Sequence, residues 1–268
     1  LEDVYSYLEK VQSQRPLVHH ITNWVTIYDC ANMTRCFGAL PVMAHAKEEV
    51  EQMAGIAGAL VLNIGTLTNE LVESMILAAR VANKKGIPVV LDVVGAGATD
   101  MRTLKVREIL GKVRVDIIKG NAAEIGTVAG VESQVRGVES ISVAQRPPVI
   151  AQMLAKERSC VVVITGRDDI VAGRDECYVI SNGHEMMGKV VGTGCMAASV
   201  LGAFAATGKD YAKQCAAAMS CYGIAGEIAA KKSAGPGSFK ENFYDAVYLL
   251  SAKEINAMQK ISVAAMQE

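Results

Sequence analysis

Four apolar runs, each unbroken and each ending in glycine or a polar residue, constrain this chain most: Ala59–Gly65, Pro88–Asp92, Asp116–Asn121 and Cys160–Gly166. A strand with one face in water alternates apolar and polar residues. A strand covered on both faces does not, and such strands belong to parallel sheets. Segments of helical period lie between the runs. Thr68–Lys85 carries Leu71, Met75, Ile76, Ala79, Val81 and Ala82; Thr103–Lys112 is a second helix, and a third starts at Ala122. Strand and helix in alternation predict an α/β fold, with a mostly parallel central sheet flanked by helices.

After Cys195 the chain becomes Ala-rich. Met196–Ala206, Asp210–Lys231 and Phe243–Met258 read as helices of a C-terminal part that packs on the α/β core. Gly130–Gln145 is polar and reads as a long loop or insertion. There is no internal repeat and no linker, so one domain over residues 1–268 is expected.

Of the 268 residues, 51% are hydrophobic, enough for a sizeable core. The net charge of -1 provides no field for nucleic acid or an anionic membrane, so neither is an expected partner. Seven cysteines without a Cys-x-x-Cys pair suit neither a disulfide framework nor a zinc site. Reduced thiols in the cytoplasm are the simplest account. The N-terminal Leu1-Glu2-Asp3 does not resemble a signal peptide, and no apolar run reaches the ~18 residues needed to cross a bilayer.

Parallel sheets bind ligands beyond the carboxyl ends of their strands. The polar residues there are Asn63 and Gly65, Asp92, Lys119 with Asn121 and Glu124, and Thr165 with Gly166. The loop Gly192-Thr193-Gly194-Cys195, opening into an apolar helix, would join the same rim. Free N–H groups and the positive end of the helix dipole suit an anion there, a phosphoryl group in transfer included. The bland alternative is a tight turn with a buried Cys195. Asp92 and Glu124 suit Mg2+ next to a phosphate-bearing substrate, or else Glu124 caps a helix. Lys119 offers a point charge to phosphate, or snorkels from the sheet edge. Thr165 offers a hydroxyl, or makes a turn.

Near the N-terminus His19 and His20 point opposite ways from an extended segment, which favours core or loop histidines over a metal pair. Asn23 can orient a hydroxyl substrate with two hydrogen bonds. Met43 suits a core or an adaptable small-molecule pocket. Gly235-Pro236-Gly237-Ser238-Phe239 reads as a loop that interrupts the helical region.

From about Pro16 to Phe243 the chain resembles, collinearly, the hydroxyethylthiazole kinases, the thiamine-salvage family of the ribokinase-like superfamily. The resemblance rests on His20-Ile21-Thr22-Asn23, Pro41-Val42-Met43-Ala44, Leu62-Asn63-Ile64-Gly65-Thr66-Leu67, Val94-Gly95-Ala96-Gly97-Ala98, Gly120-Asn121-Ala122-Ala123-Glu124, Ile164-Thr165-Gly166, Gly192-Thr193-Gly194-Cys195 and Gly235-Pro236-Gly237-Ser238-Phe239. It implies a ribokinase-like fold. It also implies transfer of the γ-phosphoryl group of ATP to the primary hydroxyl of 4-methyl-5-(2-hydroxyethyl)thiazole with Mg2+, in a homotrimer with active sites between subunits. Cys195, Gly194 and Thr193 would be catalytic. Met43, Gly192 and Asn23 would bind the thiazole, Lys119, Thr165 and Asn121 ATP, and Asp92 and Glu124 the metal. The family commonly has Pro at position 93 and Arg at 119. Val93 should loosen the turn after Asp92, and Lys119 keeps the charge without the bidentate fork.

Two alternatives stand beside this family reading: a related ribokinase-like kinase of another small alcohol, such as hydroxymethylpyrimidine, or a non-catalytic nucleotide or thiazole sensor, for which the Lys119 and Val93 departures leave room. Gly95-Ala96-Gly97 lacks the further glycine of a dinucleotide fingerprint and follows a later strand than the first, which disfavours a dehydrogenase.

Overall fold

The computed structural model describes residues 3–131 and 147–264. Helix α1 (Val4–Gln14) leads into strand β1 (Leu17–Ile21), followed by α2 (Ile27–Cys36), β2 (Leu40–Val42), α3 (Val50–Ile56) and β3 (Ala59–Asn63). Then come α4 (Asn69–Lys85), β4 (Val89–Asp92), α5 (Asp100–Lys112), β5 (Ile117–Asn121), α6 (Ala122–Val128) and α7 (Pro147–Arg158). Strands β6 (Val161–Thr165), β7 (Asp169–Ala172) and β8 (Cys177–Ile180) precede a 3-10 turn over Glu185–Lys189. Helices α8 (Thr193–Ala205), α9 (Tyr211–Lys231), α10 (Pro236–Tyr248) and α11 (Ala252–Met258) lead to β9 (Ile261–Val263).

The described strands form one sheet in the order β2-β1-β3-β4-β5-β6-β7-β8-β9. All neighbours from β2 to β6 pair in parallel, and β6 to β9 pair antiparallel. The unbroken runs have a plain cause: successive residues serve opposite faces. Val61, Val90 and Ile117 join a core with α1, α2, α8, α9 and α10, whereas Leu60, Leu62, Leu91 and Ile118 join another with α3, α4, α5, α6 and α7. The result is a three-layer sandwich with the sheet buried between helices.

The four expected strands are β3 to β6. The antiparallel edge was not legible, because β7 to β9 are short and β9 is half open to solvent. Helix α4 matches its expected span to one residue. The Thr68 side chain accepts from the Leu71 N–H at its start, and left-handed Gly86 closes its end. Two expectations need correction. Gly235–Phe239 is not a loop but the opening of α10, with Pro236 in the first turn and the Ser238 hydroxyl accepting the Gly235 N–H. Phe243–Met258 is two helices, broken at Leu249–Ser251, where the Ser251 backbone and Glu254 begin a new cap. The expected insertion at 130–145 lies outside the described residues from position 132 onward.

Helix α8 begins at Thr193, not at Met196 as expected, so Thr193, Gly194 and Cys195 form its first turn. At Gly202 a methyl group would stand 2.4 Å from Val61 Cγ2. The glycine lets α8 lie directly on β3, which aims its N-terminus at the carboxyl edge of the sheet.

Candidate active site

The carboxyl ends of β1, β3, β4 and β5 meet the N-terminus of α8. Gly192 precedes that helix with φ +94°, a left-handed conformation open to glycine at little cost, and a methyl group there would meet Thr26 Cγ2 at 2.5 Å. No side chain caps α8, so its first N–H groups face the rim. The Tyr222 hydroxyl donates to the Thr193 carbonyl at 2.7 Å, and the Thr193 hydroxyl donates to the Met187 carbonyl at 2.9 Å. These bonds pin the first turn from α9 and from the 3-10 turn.

Lys119 is buried rather than snorkelling, and its Nζ stands 3.2 Å from Asp92 Oδ2. It also lies 3.3 Å from where a side chain on Gly194 would begin, so the ammonium sits between the carboxylate and the α8 turn. Burial pushes the Lys119 ammonium down, but Asp92, Cys195 and Glu124 outweigh it and hold the amine protonated. Burial raises the Asp92 carboxyl, while Lys119 opposes that rise. Oδ2 accepts from both Lys119 and the Asn63 amide, an arrangement that suits the carboxylate, and we treat the pair as ionic. Asp92 Oδ1 is buried with no hydrogen-bond partner.

Asn23 is buried, and its Nδ2 lies 3.4 Å from Cys195 Sγ, 3.0 Å from Asn63 Oδ1 and 2.8 Å from Thr26 Oγ1. Burial, followed by the Asp92 charge, raises the Cys195 thiol, with Lys119 lowering it. Cys195 is therefore a neutral thiol near pH 7. Met43 is half-buried against the core beside the end of β2. His19 and His20 are core residues: His19 Nε2 bonds the Ala44 carbonyl at 2.8 Å, and burial pushes His20 down to about 4.

Thr165, Thr193 and Gly194 line a cavity of about 1080 Å3, together with Gly166, Asp169 and Tyr222. Asp169 accepts the Gly166 N–H at 2.9 Å, and burial raises its carboxyl to about 7.

Two expected residues have local duties. Asn121 accepts the Glu124 N–H at 2.9 Å, and Glu124 Oε2 accepts the Asn121 N–H at 2.7 Å, a reciprocal cap on α6. Glu124 Oε1 also accepts the Gly95 N–H at 2.7 Å, tying the β4 loop to α6. Asn121 is exposed and is not part of the cavity wall. Val93 does not loosen its turn. Its N–H donates to the Lys119 carbonyl at 2.9 Å, a bond that proline lacks.

Three residues were given no role by the sequence. Asn63, named only as a strand end, joins Asn23 to Asp92. Thr26 packs against Gly192. Arg102 donates to the carbonyls of Ile64, Gly65 and Val94 at 3.0, 2.7 and 3.1 Å, clamping the loops after β3 and β4. No local pattern marks Arg102, because its partners are backbone carbonyls, two of them 37 and 38 residues away.

The sandwich is shared with a ribokinase-like superfamily protein from Enterococcus faecalis, at TM-score 0.63 and 14% identity over 88% of each chain, a likeness of fold alone. The structure of a hydroxyethylthiazole kinase protein from Pyrococcus horikoshii is similar at TM-score 0.89 and 38% identity, over 98% of this chain and 99% of that one. The hydroxyethylthiazole kinase of Methanosarcina mazei is 57% identical over 254 residues, covering 95% of this chain and 97% of that protein. The family model "Hydroxyethylthiazole kinase family" matches residues 8–253. That match takes in every residue gathered at the rim, from Asn23 to Cys195, and the chain belongs to the hydroxyethylthiazole kinase family.

Proposed function

We propose that the chain transfers the γ-phosphoryl group of ATP to the primary hydroxyl of 4-methyl-5-(2-hydroxyethyl)thiazole, within thiamine salvage and as a single kinase domain. The observation that carries this reading is the meeting of Lys119, Asp92, Cys195 and the first turn of α8 beside one large cavity, in a chain of this family. In this reading ATP occupies the cavity, with Thr165 and Gly166 on one wall and its phosphates toward Gly194 and Lys119. The alcohol would bind by Asn23, Met43 and Gly192.

Phosphoryl transfer asks chiefly for positioning and charge stabilisation. The N–H groups of the Gly192–Cys195 turn face the transferring group. One such donor is typically worth about 2.7–4 kcal/mol in an oxyanion site. Lys119 adds a fixed positive charge. Cys195, held as a thiol, orients the alcohol and assists weakly, since a loose transition state needs little prior deprotonation. Asn121 shapes the strand end that bears Lys119 by capping α6.

Among the described residues no three His, Cys, Asp or Glu side chains gather to hold a metal. Mg2+ needs fewer, since one or two carboxylates suffice when phosphates and water complete its shell. Asp92, with its unpartnered Oδ1, and Glu124, whose oxygens retain further lone pairs, fit that role. When bound, the ion would neutralise phosphate charge.

Trp24, Val25 and Tyr28 are exposed next to Asn23, as is Val191 next to Gly192. This apolar rim supports a homotrimer in which a second copy closes each alcohol site. Among the described residues no helix is long and apolar enough to cross a membrane. All seven cysteines are free, which supports a reducing, cytoplasmic setting.

The test is incubation with ATP, Mg2+ and hydroxyethylthiazole, following ADP release and product mass, with hydroxymethylpyrimidine in parallel. A product heavier by one phosphoryl group is expected from the thiazole. Turnover of the pyrimidine alone, or binding of ATP and thiazole without turnover, would overturn the reading.

A further inference from the structure

Asn63 ends β3 with 1% of its surface exposed. Its Nδ2 donates to Asp92 Oδ2 at 3.0 Å. Its Oδ1 accepts from Asn23 Nδ2 at 3.0 Å and from the Gly65 N–H at 2.9 Å. Only one orientation of this amide satisfies all three contacts. Turned over, its NH2 would face two other donors, and its carbonyl would face a carboxylate oxygen. A buried mismatch of that kind leaves polar groups without partners. The hydrogen bonds therefore run in one fixed pattern from Cys195 through Asn23, Asn63 and Asp92 to Lys119.

We propose that Asn63 is a positioning residue that sets the alcohol side and the phosphate side of the site in one register. It holds Asn23 against the Cys195 thiol with its carbonyl, and it holds Asp92 beside the Lys119 ammonium with its amide. This rests on the phosphoryl-transfer reading, in which rate depends on the placement of two substrates. Other side chains cannot do both tasks. Aspartate keeps the acceptor for Asn23 but has no donor for Asp92, and leucine has neither. Glutamine is a methylene longer, and the space is closed: a methyl group on Gly65 would already stand 3.0 Å from Asn63 Oδ1 and 2.9 Å from Asn23 Cβ.

The test compares Asn63→Leu, Asn63→Asp and Asn23→Ala, with the double variant Asn63→Leu/Asn23→Ala, by kcat, by KM for each substrate and by melting temperature. Asn63→Leu is expected to lower kcat by about 10- to 100-fold, the usual effect of losing a residue that orients a site group. Both KM values should stay within about threefold while the fold is retained. Asn63→Asp should fall with it, because the arm to Asp92 is lost. The double variant should lose less than the product of the two single losses, because both substitutions cut the same arm between Asn23 and Asn63. Wild-type kcat in folded Asn63→Leu, a loss confined to one KM, or losses that multiply in the double variant would each overturn the proposal. Should Asn63→Leu fail to fold, Asn63→Ser takes its place under the same criteria. Should the wild type fail to phosphorylate the thiazole alcohol, the functional reading fails instead. The same cycle read as melting temperature then decides the relay, and additive shifts would sink it.

Discussion

The Lys119 ammonium meets Asp92 Oδ2 at 3.2 Å with both side chains buried. Removing one partner of such a pair leaves an uncompensated charge, at a typical cost of about 3–5 kcal/mol. Lys119→Met should therefore lower stability by about that amount in urea melts. Lys119→Met combined with Asp92→Asn should recover much of it while remaining inactive. If the two losses simply add, the residues do not interact as described.

Cys195 separates two roles in a single assay. A thiol raised by burial and by Asp92 is a poor base near neutral pH. Cys195→Ser should keep measurable turnover, and Cys195→Asp should keep or raise it. Complete loss in both variants, with circular dichroism unchanged, would instead make the sulfur indispensable.

Gly192 is constrained twice, by its φ of +94° and by Thr26 Cγ2, which would stand 2.5 Å from any methyl group placed on it. Left-handed backbone costs a non-glycine residue roughly 1–2 kcal/mol. Gly192→Ala should destabilise by at least about that much and lower kcat sharply. Adding Thr26→Ser removes the clashing methyl and should restore part of the stability but not all. Full restoration would mean that backbone conformation carries no cost here.

Asp169 supplies a pH dependence. Its carboxyl is raised from 3.8 to about 7, so the folded state binds the proton more tightly than the unfolded chain does. Its contribution to stability is present below pH 4 and is lost as pH rises toward 7 and through it. Asp169→Asn keeps an oxygen for the Gly166 N–H and removes the titration. Relative to that variant, the wild type should lose a few kcal/mol, on the order of 1.4 per pKa unit, between pH 4 and 8. Parallel stability curves for the two proteins would rule this out.

The central strands were legible because the residues of β3 to β6 short of their carboxyl ends are buried between helical layers, leaving apolar runs. The rim was legible for the same reason, since the first polar residue after each run marks a strand's carboxyl end. Asp92 and Lys119 were found in this way, yet their ion pair was not, because it depends on adjacent strand register. Arg102 and Thr26 act on backbone and on a glycine across the fold, and single-chain spacing holds no trace of such partners. The loop reading of Gly235–Phe239 failed because Pro followed by Gly marks a helix start as readily as a turn.

Strand β9, later in the chain than every other described element, also supports the cavity. It pairs with β8, and Asn182 beyond β8 accepts the Lys260 N–H at 2.8 Å and donates to the Met258 carbonyl at 2.8 Å. Asn182 lines the cavity wall. That wall is therefore held from residues 76 and 78 positions further along the chain. A change confined to β9 would thus reach the cavity without touching any residue of the parallel core.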